Sequence, residues 1–89
     1  MKKFIRLLPK DNVAVALVRI PAGATLRLDD GSLLPCQEIP AGHKLALVDL
    51  PEKALVIKYG QVIGETTRPV QRGEHVHLHN LRSLRRERR

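Results

Sequence analysis

The chain is 89 residues long, with one cysteine, two aromatic residues and a formal net charge of +7. That length makes one domain with a modest core, which must be built from Val, Leu, Ile and Ala because Phe4 and Tyr59 are the only aromatics. A lone Cys36 excludes an internal disulfide and a cysteine-rich metal site and fits a reducing compartment.

No apolar stretch approaches the length needed to cross a bilayer. Met1 to Leu8 runs into Pro9-Lys10-Asp11-Asn12 rather than into the apolar core and cleavage site of a secretory signal, so the expectation is a cytoplasmic protein with no membrane partner. The charge says less than its total. Residues 82–89 hold five arginines against Glu87 and so carry +4 of the +7. An arginine-rich end can hold phosphates, but no aromatics stand beside it for base stacking. It reads as a flexible, solvated tail or as one resting on an acidic partner surface, and nucleic acid is not the expected ligand.

In chain order, Lys3 to Leu8 predicts a first strand closed by Pro9. Val13-Ala14-Val15-Ala16-Leu17-Val18 is short for a helix and bounded by turn signals, which favours a strand, although its alanines leave a helical turn open. Ile20-Pro21-Ala22-Gly23 places proline second and glycine fourth, the preference of a type I turn starting at Ile20. Ala24 to Leu28 should be a strand, with Asp29-Asp30-Gly31-Ser32 turning it into Leu33-Leu34. Pro35 makes the return strand irregular or an edge.

The tetrapeptide then recurs as Ile39-Pro40-Ala41-Gly42, with weaker echoes at Leu50-Pro51-Glu52-Lys53 and Val70-Gln71-Arg72-Gly73. Each copy precedes an apolar segment, so one corner is used several times, at intervals too unequal for a solenoid. Tyr59-Gly60-Gln61 turns the chain between Ile57 and Val62-Ile63, and Gly64 marks a bulge or a close backbone approach. The composite is all-β with little helix: many short, bent strands over residues 1–81, followed by the basic tail 82–89.

The stretch with chemistry in it is Gly73-Glu74-His75-Val76-His77-Leu78-His79-Asn80. On a strand, alternate side chains share a face, so His75, His77 and His79 form one ridge, backed by Val76 and Leu78. His43 follows a corner that could bring it near that ridge. Alternate residues are about 6.5 Å apart, so a neighbouring pair can lean onto one metal at the 2.0 to 2.1 Å seen in zinc sites. His75 and His79 cannot share an ion without a bend. A metal site would therefore hold at most two of His75, His77 and His79, plus His43 or a ligand from elsewhere, leaving another histidine to face substrate.

Several motifs together resemble one family. Asp11-Asn12-Val13-Ala14-Val15-Ala16-Leu17, Ala41-Gly42-His43-Lys44, Val56-Ile57-Lys58-Tyr59-Gly60 with Ile63-Gly64, and Gly73-Glu74-His75-Val76-His77 with His79-Asn80 resemble, in one order from Lys3 to Leu81, the amino-terminal portion of the altronate dehydratase family. The resemblance implies a small SAF domain of the β-clip type, related in fold to antifreeze-like and flagellar chaperone domains. In that family the domain is fused to a much larger catalytic region or made as a separate small subunit. This chain, ending where the fused region would begin, looks like the separate form.

The resemblance also implies an activity: a hydro-lyase that removes water from a sugar acid to leave a 2-keto-3-deoxy acid, using a divalent metal, iron(II) or manganese(II), shared with a large dehydratase subunit. Catalytic roles fall to His43, His75 and His77. Lys44, Lys58 and Tyr59 are candidates to meet the substrate, as are Asn12 and Asn80 for its hydroxyls. Each has a plainer reading: solvated lysines beside turns, a packed corner tyrosine, and asparagine as a cap. The isolated chain, lacking a carboxylate-rich metal shell, is expected to be inactive alone and open to self-association. A galactarate dehydratase, a sulfolactate sulfo-lyase or a non-catalytic sugar-acid or nucleic-acid module are the alternatives.

Overall fold

The computed structural model describes residues 2–84. Among them are nine short strands, all paired antiparallel: β1 (Phe4–Ile5), β2 (Val13–Ala16), β3 (Thr25–Arg27), β4 (Leu33–Pro35), β5 (Lys44–Ala46), β6 (Leu55–Lys58), β7 (Gln61–Thr66), β8 (His75–Val76) and β9 (Leu81–Ser83). They form a central sheet in the order β1-β2-β5-β8, a β3-β4 hairpin, and a β6-β7-β9 sheet. The all-β class is what the sequence led us to expect, and Val13–Ala16 is strand rather than helical turn. No helix among the described residues is long and apolar enough to cross a membrane.

The four corners share one geometry, and it differs from the turn predicted. The closing bonds run from Ala24 N–H to Pro21 O, His43 N–H to Pro40 O, Ala54 N–H to Pro51 O and Glu74 N–H to Gln71 O. The turn thus begins one residue later than expected. Its third residue has positive φ: Gly23 at 84°, Gly42 at 85°, Gly73 at 87° and Lys53 at 65°. That is the type II requirement, and it explains why glycine ends three of the four motifs. The corners also come in pairs, since isolated bridges join Ile20 to Ile39 and Leu50 to Val70.

Each pair of corners nucleates its own core. Ile20 and Ile39 sit with Ala14, Ala16, Leu26, Leu34, Leu45 and Leu47; Leu50 and Val70 sit with Val13, Ala46, Val56 and Val76. Strands β2 and β5 separate the two, and their alternate residues point into opposite cores. This is why Val13–Ala16 and Leu45-Ala46 read as continuous apolar runs rather than alternating ones: a stretch buried on both faces has no polar side to show. Wholly burying an Ile or Leu is worth about 1.5–3 kcal/mol, so a dozen aliphatics in two clusters can replace the missing aromatics.

The hairpin signals are met. Leu28 N–H donates to Ser32 O, Gly31 N–H donates to Leu28 O, and the Asp30 carboxylate accepts from the Ser32 backbone and hydroxyl. At Gly64 both expectations apply, because the β6-β7 register shifts there and a Cβ would collide with the Arg82 carbonyl on β9. The domain also runs beyond the expected boundary at Leu81. Ser83 pairs with Gly64 and Arg82 with Glu65, whose carboxylate also meets the Arg82 guanidinium. The rest of the predicted basic tail, from residue 85 on, lies outside the described residues.

Candidate active site

Antiparallel register brings the histidines together. Strand β8 pairs with β5 so that Lys44 faces Val76 and Leu45 faces His75. One step further in the same register sets His43 against His77, with His75 diagonal to His43. The rings follow: His43 and His77 stack with centroids 4.1 Å apart, His43 and His75 at 5.0 Å, and His75 and His77 at 5.6 Å. His43 Nδ1 lies 2.9 Å from His75 Nε2, so one of the two nitrogens carries the shared proton. All three side chains are on the Leu45 face of the sheet, half-buried at the rim of the first core.

The expected histidine strand is shorter than predicted. Regular pairing ends at Val76, and residues 77–80 form a turn closed by Asn80 N–H to His77 O. Val76 is buried in the second core, but Leu78, predicted beside it, is 84% exposed. His79 is carried outward too, its ring tilted over His75 at 5.2 Å and outside the three-histidine cluster. The alternation argument assumed extended backbone through Asn80; the turn ends it after His77.

The His75 and His77 rings favour the neutral form. Burial first, and then the charges of His43, His79, His77 and Lys44, hold His75 below the ordinary imidazole range; burial, then His43, Lys44 and His79, do the same for His77. Neutral imidazole is the form that offers a lone pair to a proton or an ion. Among the described residues, one ligand nitrogen from each of His43, His75 and His77 lies within 4.8 Å of the others. Ligands about 2.0–2.1 Å from one ion stand roughly 2.9–3.4 Å apart; the His43–His75 spacing of 2.9 Å lies in that range, while the set of three spans up to 4.8 Å. Three imidazoles with no carboxylate suit a borderline first-row divalent metal.

Comparison with known proteins now bears on this geometry. Residues 2–84 match the model of the altronate/galactarate dehydratase SAF domain. The chain belongs to this family. It is 40% identical over 81 residues to altronate dehydratase of Escherichia coli and 37% identical over 83 residues to that of Bacillus subtilis, covering 91% and 93% of this chain. The matched segments amount to only 16% and 17% of those enzymes. It is also 51% identical over 47 residues to the (2R)-sulfolactate sulfo-lyase subunit alpha of Chromohalobacter salexigens, covering 53% of this chain and 50% of that subunit.

The other predicted site residues of the SAF domain are scattered. Lys44 is half-buried on the face opposite the histidines, where Val76 and Val15 are its cross-strand neighbours. Burial, then the nearby Lys58, lowers its affinity for a proton. Lys58 lies over the Tyr59 ring, with its Nζ 5.3 Å from the centroid. Tyr59 is the first of two positive-φ residues (53°, with Gly60 at 79°) in the two-residue β6-β7 turn rather than a packed corner.

Asn12 ties β2 to β6, its Nδ2 donating to Leu55 O and its Oδ1 accepting from Ile57 N–H. Its side chain is spent on structure, in line with the capping reading. Asn80 is the larger departure. Offered above as a contact for sugar hydroxyls, it is 0% exposed and hydrogen-bonded entirely within the chain.

One contributor escaped the sequence reading. Gln37 Oε1 accepts from His75 N–H across the gap to the β3-β4 region, and no local pattern marks it. Asp11 is buried; its carboxylate caps Leu8 N–H and Gly60 N–H, and these backbone bonds outweigh burial to hold it below the usual carboxylate range. Asp11-Asn12 reads from the sequence as a turn or cap, and the carboxylate caps.

Proposed function

We propose that this SAF domain acts as the small subunit of a cytoplasmic sugar-acid dehydratase, supplying the histidine wall of an active site that a larger dehydratase region completes. The observation that carries the reading is the convergence of His43, His75 and His77 from two strands onto one face, in a domain whose relatives are dehydratases and a sulfo-lyase subunit. The reaction takes a proton from the carbon next to a carboxylate and a hydroxyl from the following carbon. The resulting enol becomes the 2-keto-3-deoxy acid.

Within that chemistry the chain's own residues have defined capacities. His43, His75 and His77 would hold a divalent ion, iron(II) or manganese(II), which when bound supplies Lewis-acid stabilisation of charge on the substrate's carboxylate and hydroxyl. A histidine not engaged by the ion, with His79 nearest at hand, can relay a proton to or from the substrate. Lys44, on the face opposite the histidines, is not placed to meet a substrate held there. The histidine group includes no carboxylate, and the remaining ligands and the principal base belong to the larger region.

The sulfo-lyase relatives support a second reading in which the leaving group is sulfite rather than water, since the corners and histidines do not address the leaving group. The experiment purifies the complex formed in the native host and assays it on altronate, galactarate and sulfolactate, beside the 89-residue chain alone. Turnover by the complex and none by the isolated chain is expected. Full turnover by the isolated chain would refute the divided site.

A further inference from the structure

Asn80 is one of three buried polar or charged side chains among the described residues, with Asp11 and Thr66. Its bonds converge on the histidine segment. Oδ1 accepts from His77 N–H at 3.0 Å, and Nδ2 donates to His75 O at 2.9 Å and more weakly to Glu74 Oε2 at 3.4 Å. Its backbone N–H closes the turn on His77 O, and its carbonyl accepts from Thr67 N–H, anchoring the turn to the end of β7. One side chain thus grips the main chain on both sides of Val76, at the two residues whose rings face His43.

We propose that Asn80 is a positioning residue for the histidine cluster, a clamp that holds the His75 and His77 backbones so that both rings meet His43 after the strand has ended. The inference deepens the functional reading above, since it assigns that site a supporting residue. The physical need is plain. Regular pairing stops at Val76, so nothing in the sheet itself fixes His77. A turn tip with Leu78 and His79 exposed would otherwise swing freely and take the His77 ring with it. The amide suits the task because it donates and accepts at once. A carboxylate in its place would keep the acceptor for His77, lose the donor to His75 O, and set a second negative charge beside Glu74.

The test compares N80D and N80S with T66V. Thr66 is equally enclosed, but its side chain bonds to Pro51 O and Ala54 N–H at another corner rather than to the histidine segment. The first readout needs no metal: nuclear Overhauser contacts between the His43 and His77 rings in the 89-residue chain. They are expected to disappear in N80D and N80S and to persist in T66V. Persistence in both Asn80 variants, or equal loss in T66V, would overturn the proposal by making Asn80 an ordinary core residue or none at all.

The second readout is cobalt(II) affinity, expected to fall about 10- to 100-fold in N80D, as when a residue supporting a metal ligand is removed, and to hold in T66V. Failure of the unmodified chain to bind cobalt(II) would count against the metal reading, while the ring contacts would still decide Asn80. Should neither Asn80 variant fold, amide exchange in the unmodified chain decides instead. His77 N–H is expected to be protected like a strand amide, and exchange as fast as that of Leu78 N–H would overturn the clamp.

Discussion

Ile20-Pro21-Ala22-Gly23 and Ile39-Pro40-Ala41-Gly42 are the same four residues in the same turn, bridged to each other through their isoleucines. Only one is followed by a histidine. The first is followed by Ala24 and feeds β3, half of a peripheral hairpin; the second is followed by His43 and feeds β5, flanked by β2 and β8 in the central sheet. The turn itself is therefore neutral. What sets the second corner apart is the strand it launches and the neighbour that strand acquires, because β8 arrives with His75 and His77 in the register that faces His43.

The equivalence of the two corners is most severely tested by removing their shared anchor. Ile20→Ala and Ile39→Ala each empty a buried site in the same core, and each is expected to cost about 2–5 kcal/mol. Urea denaturation checks this. That loss is a large share of the roughly 5–15 kcal/mol that native domains possess. Costs differing by more than about 1.5 kcal/mol, beyond the spread in how well sites collapse, would show that the corners are not interchangeable supports.

The difference between the corners is sharpened by H43A. The chain should still unfold cooperatively, while cobalt(II) affinity measured by titration calorimetry falls by at least about 10- to 100-fold, the loss seen when even a residue supporting a metal ligand is removed. Ala24→Ser, at the matching position of the other corner, is expected to leave that affinity unchanged. Equal effects would mean that the metal does not use the histidine face.

Acid should separate the corners as well. His75 and His77 have lowered folded-state affinities for protons, so the unfolded chain binds protons first as pH falls below the free imidazole value of about 6.5. Stability is then level above that value and declines below it, through the depressed folded-state range. In H75A/H77A this decline should shrink, leaving the loss at lower pH as Asp11, itself held low by its backbone bonds, takes up its proton. Thermal denaturation between pH 7.5 and 5 measures it, and an unchanged slope in the double variant would place the sensitivity elsewhere.

Much of this arrangement was legible before the structure. Corner repeats, hairpin signals and the apolar runs of β2 and β5 are local patterns, and they determined the fold class. The grouping of His75 with His77 also follows from strand periodicity, and His43 stands beside a corner that could return it. The turn type was misjudged because proline's preferred place was weighed before glycine's φ, although a glycine ending three of the four motifs argued for a positive-φ position. The exposure of Leu78 and the enclosure of Asn80 were hidden for a different reason. Strand alternation does not encode where the strand ends, and the Asn80 amide, bonded to His77 N–H three residues back and to His75 O five residues back, is a side-chain contact with no period to betray it.

The smallest effect tests the corner geometry itself. At Lys53 the third position of the turn is filled by a residue with a Cβ, at φ 65°, where the other three corners have glycine. A left-handed conformation costs an L-residue about 1–2 kcal/mol, and glycine avoids it while losing about 0.5–1 kcal/mol more backbone freedom on folding. Lys53→Gly should therefore raise stability by about 0.5–1 kcal/mol on these figures. The gain should appear as a higher urea midpoint at unchanged slope. Gly42→Ala should lose stability by the mirror of this argument, and because His43 is the next residue it should also weaken cobalt(II) binding, which Gly23→Ala should not. A stabilising Gly42→Ala would mean that the corner can relax out of the left-handed region, and that the turn does not set where His43 begins.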